Sequence, residues 1–478
     1  MNIVSFQSSY DLAAVSSGIV HIGLGAFHRA HQAVYIERYL QAHNGGEWGI
    51  VSANIRSNVA LVEQLNAAHN FYHVVENTDR DNVAVREVRA ITKAIFAGQD
   101  KTELLAQLCQ TDTKIVTLTV TEKGYGIEPA SGQLNQQDKA VAADLKDLQG
   151  AQSVPGLLLT ALQSRRAKGV SGFTILSCDN MPHNGKRVKG AVMQMATARD
   201  PELANWIEQN VSFPSSMVDR IVPAMTDETL AKLNAKFGFN DPNVIETEQF
   251  SQWVVEDKFC QGRPALEEVG VEFVDDVQAY ETMKLRLLNG SHSLLAYCGQ
   301  LLGLNTVDQA IAHPTLRAMV EAFMIETKNS VAVKIDIDAY CQSLIARFSN
   351  ETLNHRLAQI ATDGSQKIPQ RWLAHIEENR AASNVLSTTE MALAAWMIYM
   401  GGKRRDGMDL PINDPLQQTF AHCLKVESAE QSVRNYLSVE SVFPSSWQQD
   451  DALIARLASN VDRLLNARSL AAVDAVFT

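Results

Sequence analysis

No stretch of the chain approaches the roughly 18 consecutive apolar residues of a membrane-spanning helix, so a helical membrane protein is not expected. The start, MNIVSFQSSYDLAAVSS, lacks the basic residues and following apolar block of an export signal, and the expected location is cytoplasmic. Positive charge is short: 42 Lys and Arg face 54 Asp and Glu, a formal net charge of −12. A surface of that sign repels nucleic acids and anionic membranes, so neither is an expected partner. Any anionic ligand must instead be caught by a local basic pocket. Cysteine is sparse and scattered. Cys109, Cys178, Cys260, Cys298, Cys341 and Cys423 form no CxxC pair and no Cys/His cluster, which fits reduced structural thiols and gives no metal signature. Internal repeats, low-complexity tracts and long Pro/Ser linkers are absent as well.

What is present is ordinary for a globular enzyme, with 46% hydrophobic and 20% charged residues. A chain of 478 residues exceeds one compact core and calls for two or three domains. Its first half alternates. GIVHI (18–22), WGIVSAN (48–54), KIVTLTV (114–120) and GFTILS (172–177) read as buried parallel strands, and helical patterns run through 30–41 and 57–70. The fold class is therefore α/β, with a parallel sheet covered by helices. Beyond about residue 278 the texture turns helical, as in HPTLRAMVEAFMIETKNS and MALAAWMIYMGG. The expected domains are 1–277, dinucleotide-binding, and 278–478, mainly helical and catalytic.

GIVHIGLGAFHRAHQ sets Gly23 and Gly25 directly after a strand and before a helix. In a dinucleotide-binding turn the first glycine makes the bend, and the second lets backbone N–H groups approach a pyrophosphate. Ile22, Gly23, Leu24, Gly25, Ala26, Phe27 and His28 are the candidate cofactor loop. His28 stands where a third glycine would permit close helix–strand packing, so the local geometry must differ. The acid that usually binds the ribose at the end of the second strand is also missing. Asn54 is placed to bond a ribose hydroxyl, whereas Arg56 with Ser57 could receive a 2′-phosphate. NAD is the expected cofactor and NADP stays open.

ETMKLRLLNGSHSLLAY (281–297) carries Lys284, Asn289 and His292 through an apolar segment. On an ideal α-helix the three fall within an arc of roughly 140°. That face also holds Leu285 and Leu288, so a reaction centre and a plain polar stripe both fit the spacing. The position just past the domain boundary, where clefts are common, favours the reaction centre.

GLGAFHRAHQ, TVTEKGY (119–125), SCDNMPHNG (177–185), FPSSMVDRIVP (213–223), QWVVEDKFCQGRP (252–264), KLRLLNGSHS (284–293) and DGSQKIPQR (363–371) follow in that order. Together they resemble the mannitol dehydrogenase family of long-chain, zinc-independent polyol dehydrogenases, over nearly the whole chain. Within it the sequence looks similar to the branch that interconverts D-mannonate and D-fructuronate with NAD(H). The resemblance implies a Rossmann-type domain followed by a mostly helical one, usually as a monomer. It implies Lys284 as catalytic lysine, with Asn289, His292 and Asn180 as partners in the site. The chemistry is coherent: without a metal, another group must take the alcohol's proton as hydride leaves. A lysine is a poor base in water, and burial beside a cation disfavours its charged form. Two amides can donate to the developing alkoxide.

Asp219 in VDR is placed to bond substrate or Lys284, and otherwise is a loop residue paired with Arg220. Glu122 in TEKGY could relay protons, or be a surface carboxylate. Arg371, Lys367 and Arg347 are candidate cations for a sugar-acid carboxylate. Lys367 also matches a substrate-contacting lysine of the family. Mannitol enzymes carry arginine four positions before the Asp of DGS, where this chain has Gln359, as the mannonate enzymes do. A sugar acid is therefore the expected substrate and a neutral polyol the alternative. An NAD-binding epimerase and a non-catalytic NAD-binding regulator are the readings from other classes.

Overall fold

The four β-branched runs assemble as one sheet whose strands are buried at every position, with polar members such as His21 and Thr117 paired inside it. In the computed structural model, which describes residues 2–128, 131–333, 335–382, 384–424 and 428–478, the chain divides into two compact units, Met1–Gln278 and Ala279–Thr478. The first unit is built on a five-stranded sheet. From one edge to the other its strands are Ile91–Phe96, Ile50–Asn54, Ile19–Ile22, Ile115–Leu118 and Thr174–Ser177. All four pairings are parallel, with Ile19 level with both Ile50 and Ile115, and Ile115 level with Thr174. In chain order this is 3-2-1-4-5, a doubly wound Rossmann arrangement. Its strand order reverses between Ile19–Ile22 and Ile115–Leu118, and such sheets bind ligands at that switch point.

Two smaller sheets complete the unit. One joins Asn2–Phe6, Asn82–Val88, Tyr72–Asn77 and Ile245–Glu248; the other joins Glu272–Val274, Gln252–Glu256 and Ser216–Asp219. The hairpin Tyr72–Asn77/Asn82–Val88 hides charge inside. Arg220 Nη2 lies 2.7 Å from Glu76 Oε1, with Arg86 and Arg38 each at 3.4 Å from the same carboxylate. Burial alone would raise the Glu76 pKa, but the three guanidinium groups hold it below the usual carboxylate value.

The second unit is helical, and among its described residues no strand forms beyond isolated bridges. Two helices run through its core. Gly290–Leu301 is buried at all twelve positions, and Ser387–Tyr399 is buried from Thr389 onward. Helices covered on every side in this way form the centre of a domain, and the polar residues they carry, His292 among them, lie inside it. Trp372, Trp396, Trp447, Tyr297 and Phe323 fill the space around them. Among the described residues, no helix is long and apolar enough to cross a membrane.

Candidate active site

The candidate residues fall into two groups, one in each unit. In the first, Gly23 leaves strand Ile19–Ile22 at φ +112°, and its N–H donates to Ala53 O at 2.8 Å. A Cβ on Gly23 would run into the Thr119 carbonyl. Gly25 differs: at φ −120° a Cβ would meet nothing of this chain nearer than Gly23 O at 3.7 Å. The protein's own packing therefore demands glycine at 23 but not at 25. An open side at Gly25 is what a dinucleotide's close approach requires. The loop borders a cleft of about 280 Å³ at the switch point, lined also by Asn54, Arg56 and Thr121. Asn54 Nδ2 donates to Leu24 O at 3.1 Å and ties the second strand to the loop. Arg56 is exposed at the rim.

One experiment separates the two glycines. Gly23→Ala is expected to lose roughly 2 kcal/mol or more of stability, from strain at a special backbone position. Gly25→Ala should melt within about 0.5 kcal/mol of wild type yet bind NADH about tenfold more weakly. Thermal melts alongside NADH fluorescence titration check both, and a wild-type NADH affinity for Gly25→Ala would remove the loop from cofactor binding.

The absent third glycine has a physical account. His28 stacks on His21 of the first strand with ring centroids 3.4 Å apart and planes within 4°. Nδ1 of His21 lies 2.8 Å from Thr117 Oγ1, and Nε2 of His28 lies 3.0 Å from Ser52 Oγ. Two flat rings thus take the place that close backbone packing would occupy. The helix stops after Ala26–Ala30 and restarts as Gln32–His43, broken at His31 (φ −121°, ψ −85°). Burial pushes His21 down to about 3 and His28 well below the ordinary histidine value, so both rings are neutral.

Asp179 organises the other wall. Its carboxylate accepts from Val120 N–H (3.0 Å), Thr121 N–H (2.9 Å) and Tyr125 O–H (2.5 Å). These bonds hold Thr121 at φ +64°, a strained position for a β-branched residue. Burial nevertheless raises the Asp179 carboxyl above its ordinary value. Asn180 follows on an exposed bend, and exposed Glu122 opens the turn Glu122–Tyr125, whose far end is buried. Asn184 Nδ2 donates to Asp179 O (3.0 Å) and Ser216 O (2.7 Å), joining the Asn180 segment to strand Ser216–Asp219. Asp219 is the buried last residue of that strand, not a loop residue, and the neighbouring Arg220 pairs with Glu76. Cys178 is buried, which raises its thiol pKa and leaves it unreactive.

In the second unit Lys284, Asn289 and His292 are all buried. The expected regular α-helix is replaced over Lys284–Asn289 by a π-helical turn, which passes into the helix Gly290–Leu301. Hydrogen bonding from i to i+5 widens the turn and brings Asn289 round toward the face of Lys284, a tighter grouping than the α-helical arc. A second π turn, Pro369–Leu373, carries Arg371 and packs on the first. Arg371 Nη1 donates to Asn289 O (3.2 Å) and Ser293 Oγ (2.8 Å), and Trp372 Nε1 donates to Gly290 O (3.2 Å). Arg286 Nη1 and Nη2 grip Glu378 at 2.7 and 2.5 Å and fix the outer side of the first turn.

The structure thus brings Lys284, Asn289, His292 and Arg371 together. His292 is held neutral, first by burial and then by the neighbouring His355, Arg371, Arg347 and Lys284. Its Nε2 and Asn289 Nδ2 are buried without a hydrogen-bond partner among the described residues. Arg371 has no carboxylate partner among them either, and burial lowers its pKa to about 10. Lys367, half-buried on the helix Gly364–Ile368, donates to Ile360 O at 3.3 Å. Asp179, Asn184, Ser293 and His355 escape the sequence reading. Asp179 and Asn184 lie within the quoted SCDNMPHNG, but nothing in spacing marks a residue that works by holding a loop.

A 3-2-1-4-5 sheet with a glycine turn at its switch, and a helical unit bearing a buried lysine, amide and imidazole, define a dinucleotide-dependent oxidoreductase. Residues 17–268 match the mannitol dehydrogenase Rossmann domain and residues 276–465 the mannitol dehydrogenase C-terminal domain, so the chain belongs to the mannitol dehydrogenase family. An uncharacterized oxidoreductase of Escherichia coli K12, YeiQ, is 43% identical over 91% of this chain and 89% of its own length. The D-mannonate oxidoreductase of the same organism is 38% identical over 97% of this chain and 96% of its own. Pseudomonas fluorescens mannitol 2-dehydrogenase, solved in ternary complex with NAD and D-mannitol, is 33% identical. It superposes with a TM-score of 0.88 over 98% of this chain and 96% of its own.

Proposed function

We propose that this NAD-dependent oxidoreductase, from a family acting on polyols and sugar acids, interconverts D-mannonate and D-fructuronate. The observation that carries the sugar-acid reading is Arg371: a half-buried guanidinium beside His292, bonded to Asn289 O and Ser293 Oγ, with no carboxylate of its own among the described residues. A cation partly withdrawn from water without a counter-ion is costly, and a substrate carboxylate supplies one with bidentate geometry. The likeness to D-mannonate oxidoreductase supports the same reading.

The open side of Gly25 and the switch-point cleft fit NAD, held by backbone groups of residues 22–28 with Asn54 toward the ribose. When bound, the nicotinamide accepts or returns the hydride. The protein's own part is to move a proton and stabilise charge. In oxidation Lys284 Nζ takes the proton of the reacting hydroxyl, and in reduction it gives it back. Asn289 Nδ2 donates to the oxygen as negative charge builds, worth roughly 3 kcal/mol. His292, neutral, orients an adjacent hydroxyl through Nε2, while Lys367 binds another. Arg371 takes the carboxylate. Glu122, exposed in its turn, is the candidate relay to solvent.

Initial rates of NADH and NADPH oxidation with D-fructuronate, D-tagaturonate and D-fructose test the reading. Fructuronate with NADH should exceed fructose by at least about 100-fold in kcat/KM, the discrimination a buried charged contact gives. Turnover of fructose alone would instead establish the polyol reading, which the likeness to mannitol 2-dehydrogenase favours. Better rates with NADPH would assign Arg56 to a 2′-phosphate.

A further inference from the structure

His355 lies between the helices Ile337–Phe348 and Leu357–Ala361, on backbone pinned from both sides. Its carbonyl accepts from Val307 N–H at 3.0 Å, Leu357 N–H donates to Asn305 O at 2.9 Å, and Thr306 bridges Arg356. Asn354 takes the left-handed conformation (φ 47°) that asparagine tolerates better than most residues. The next ring packs inward and meets His292 edge to face, with centroids 5.4 Å apart and planes at 86°. Phe348 closes the other side of His292 at 4.7 Å.

His355 Nδ1 is buried and has no hydrogen-bond partner among the described residues, and the same holds for His292 Nε2 and Asn289 Nδ2. Native proteins pair about nine in ten of their buried polar groups. Asn289 and His292 are one helical turn apart, and His355 touches His292, so three unpartnered groups adjoin one another. They also adjoin Arg371 and Arg347, whose charges reach His292. A cluster of this kind is unstable as mere packing but complete once a polyhydroxylated ligand supplies the missing partners. Burial holds His355 down at about 4, so its ring is uncharged at neutral pH. A neutral imidazole offers one donor and one acceptor, the pair of roles a hydroxyl complements.

We propose that His355 is a substrate-binding residue, whose ring hydrogen-bonds a hydroxyl flanking the carboxylate held by Arg371, and so selects among substrates by hydroxyl configuration. The carboxylate half rests on the sugar-acid reading above; the contact of His355 with a hydroxyl does not.

The test is steady-state kinetics on the full chain as wild type, His355→Ala and His355→Asn, with D-fructuronate and D-fructose at saturating NADH. His355→Ala should raise KM for fructuronate about tenfold, with kcat within about threefold, as expected for a lost ground-state hydrogen bond. NADH affinity should be unchanged, and asparagine, which keeps a donor and an acceptor, should recover part of the loss. If the alanine variant does not fold, the asparagine variant decides by the same KM-against-kcat split. A wild-type KM overturns the proposal. So does a fall in melting temperature with kcat and KM for both substrates moving together, the signature of a packing residue. Where wild type reduces only fructose, the sugar-acid reading has failed. A raised KM for fructose in His355→Ala then still supports the hydroxyl contact, and an unchanged one overturns it.

Discussion

Lys284→Ala is expected to lower kcat by about 10²–10⁴-fold, the usual range for loss of a positioned acid–base group. NADH affinity should stay at the wild-type value, because no part of the dinucleotide cleft changes. Single-turnover NADH oxidation at saturating substrate isolates the proton-transfer step from release, and partial rescue by added primary amines would identify the missing group as an amine. A variant that retains more than about a tenth of wild-type kcat would remove Lys284 from the chemistry. Lys284 is buried on the same π turn as Asn289, so the proposed base and oxyanion donor hang from one piece of backbone.

Asn289→Leu carries the second large effect, and its sign is unusual. Its amide nitrogen is buried without a partner among the described residues, which costs folding free energy in the resting enzyme. An apolar side chain of similar shape removes that cost, so stability should rise by about 1 kcal/mol. The same change removes a donor to the developing alkoxide, so kcat should fall about 10²–10³-fold. Denaturant melts and steady-state kinetics on one preparation read both quantities. A loss of stability together with unchanged kcat would make Asn289 a structural residue.

The parallel sheet was legible because Ile19–Ile22, Ile50–Asn54, Ile115–Leu118 and Thr174–Ser177 are buried on both faces and so are rich in β-branched and other apolar residues. The hairpin from Tyr72 to Val88 was not, since Glu76 and Arg86 look like surface charges until Arg220, far along the chain, supplies the counter-ion. The identity of Lys284, Asn289 and His292 as one group was readable from a helical period, yet their true spacing was not. KLRLLNG contains ordinary helix formers, and a change from i+4 to i+5 bonding leaves no mark in residue type. His28 shows the same limit: the missing glycine was visible, but the stacked ring that replaces it belongs to a strand partner. His355 was invisible for a different reason, because an orphan nitrogen is a property of its surroundings.

The π turn at Lys284–Asn289 has a consequence for how this chain could change over time. A π turn accommodates one residue more than an α turn of the same rise, so the segment is in effect an α-helix bearing a single insertion. Deleting one residue there would restore regular bonding and ease local strain, and a gene drifting toward stability has that route open. The deletion would leave the flanking turns in register, because the extra residue is absorbed within the turn, and Lys284 would then sit seven residues before His292, on the same face of a regular helix. Its cost falls elsewhere: one of Leu285, Arg286, Leu287 and Leu288 would be gone or displaced, and with it core packing or the grip on Glu378. The wide turn thus lets one more side chain be anchored without moving the reacting face.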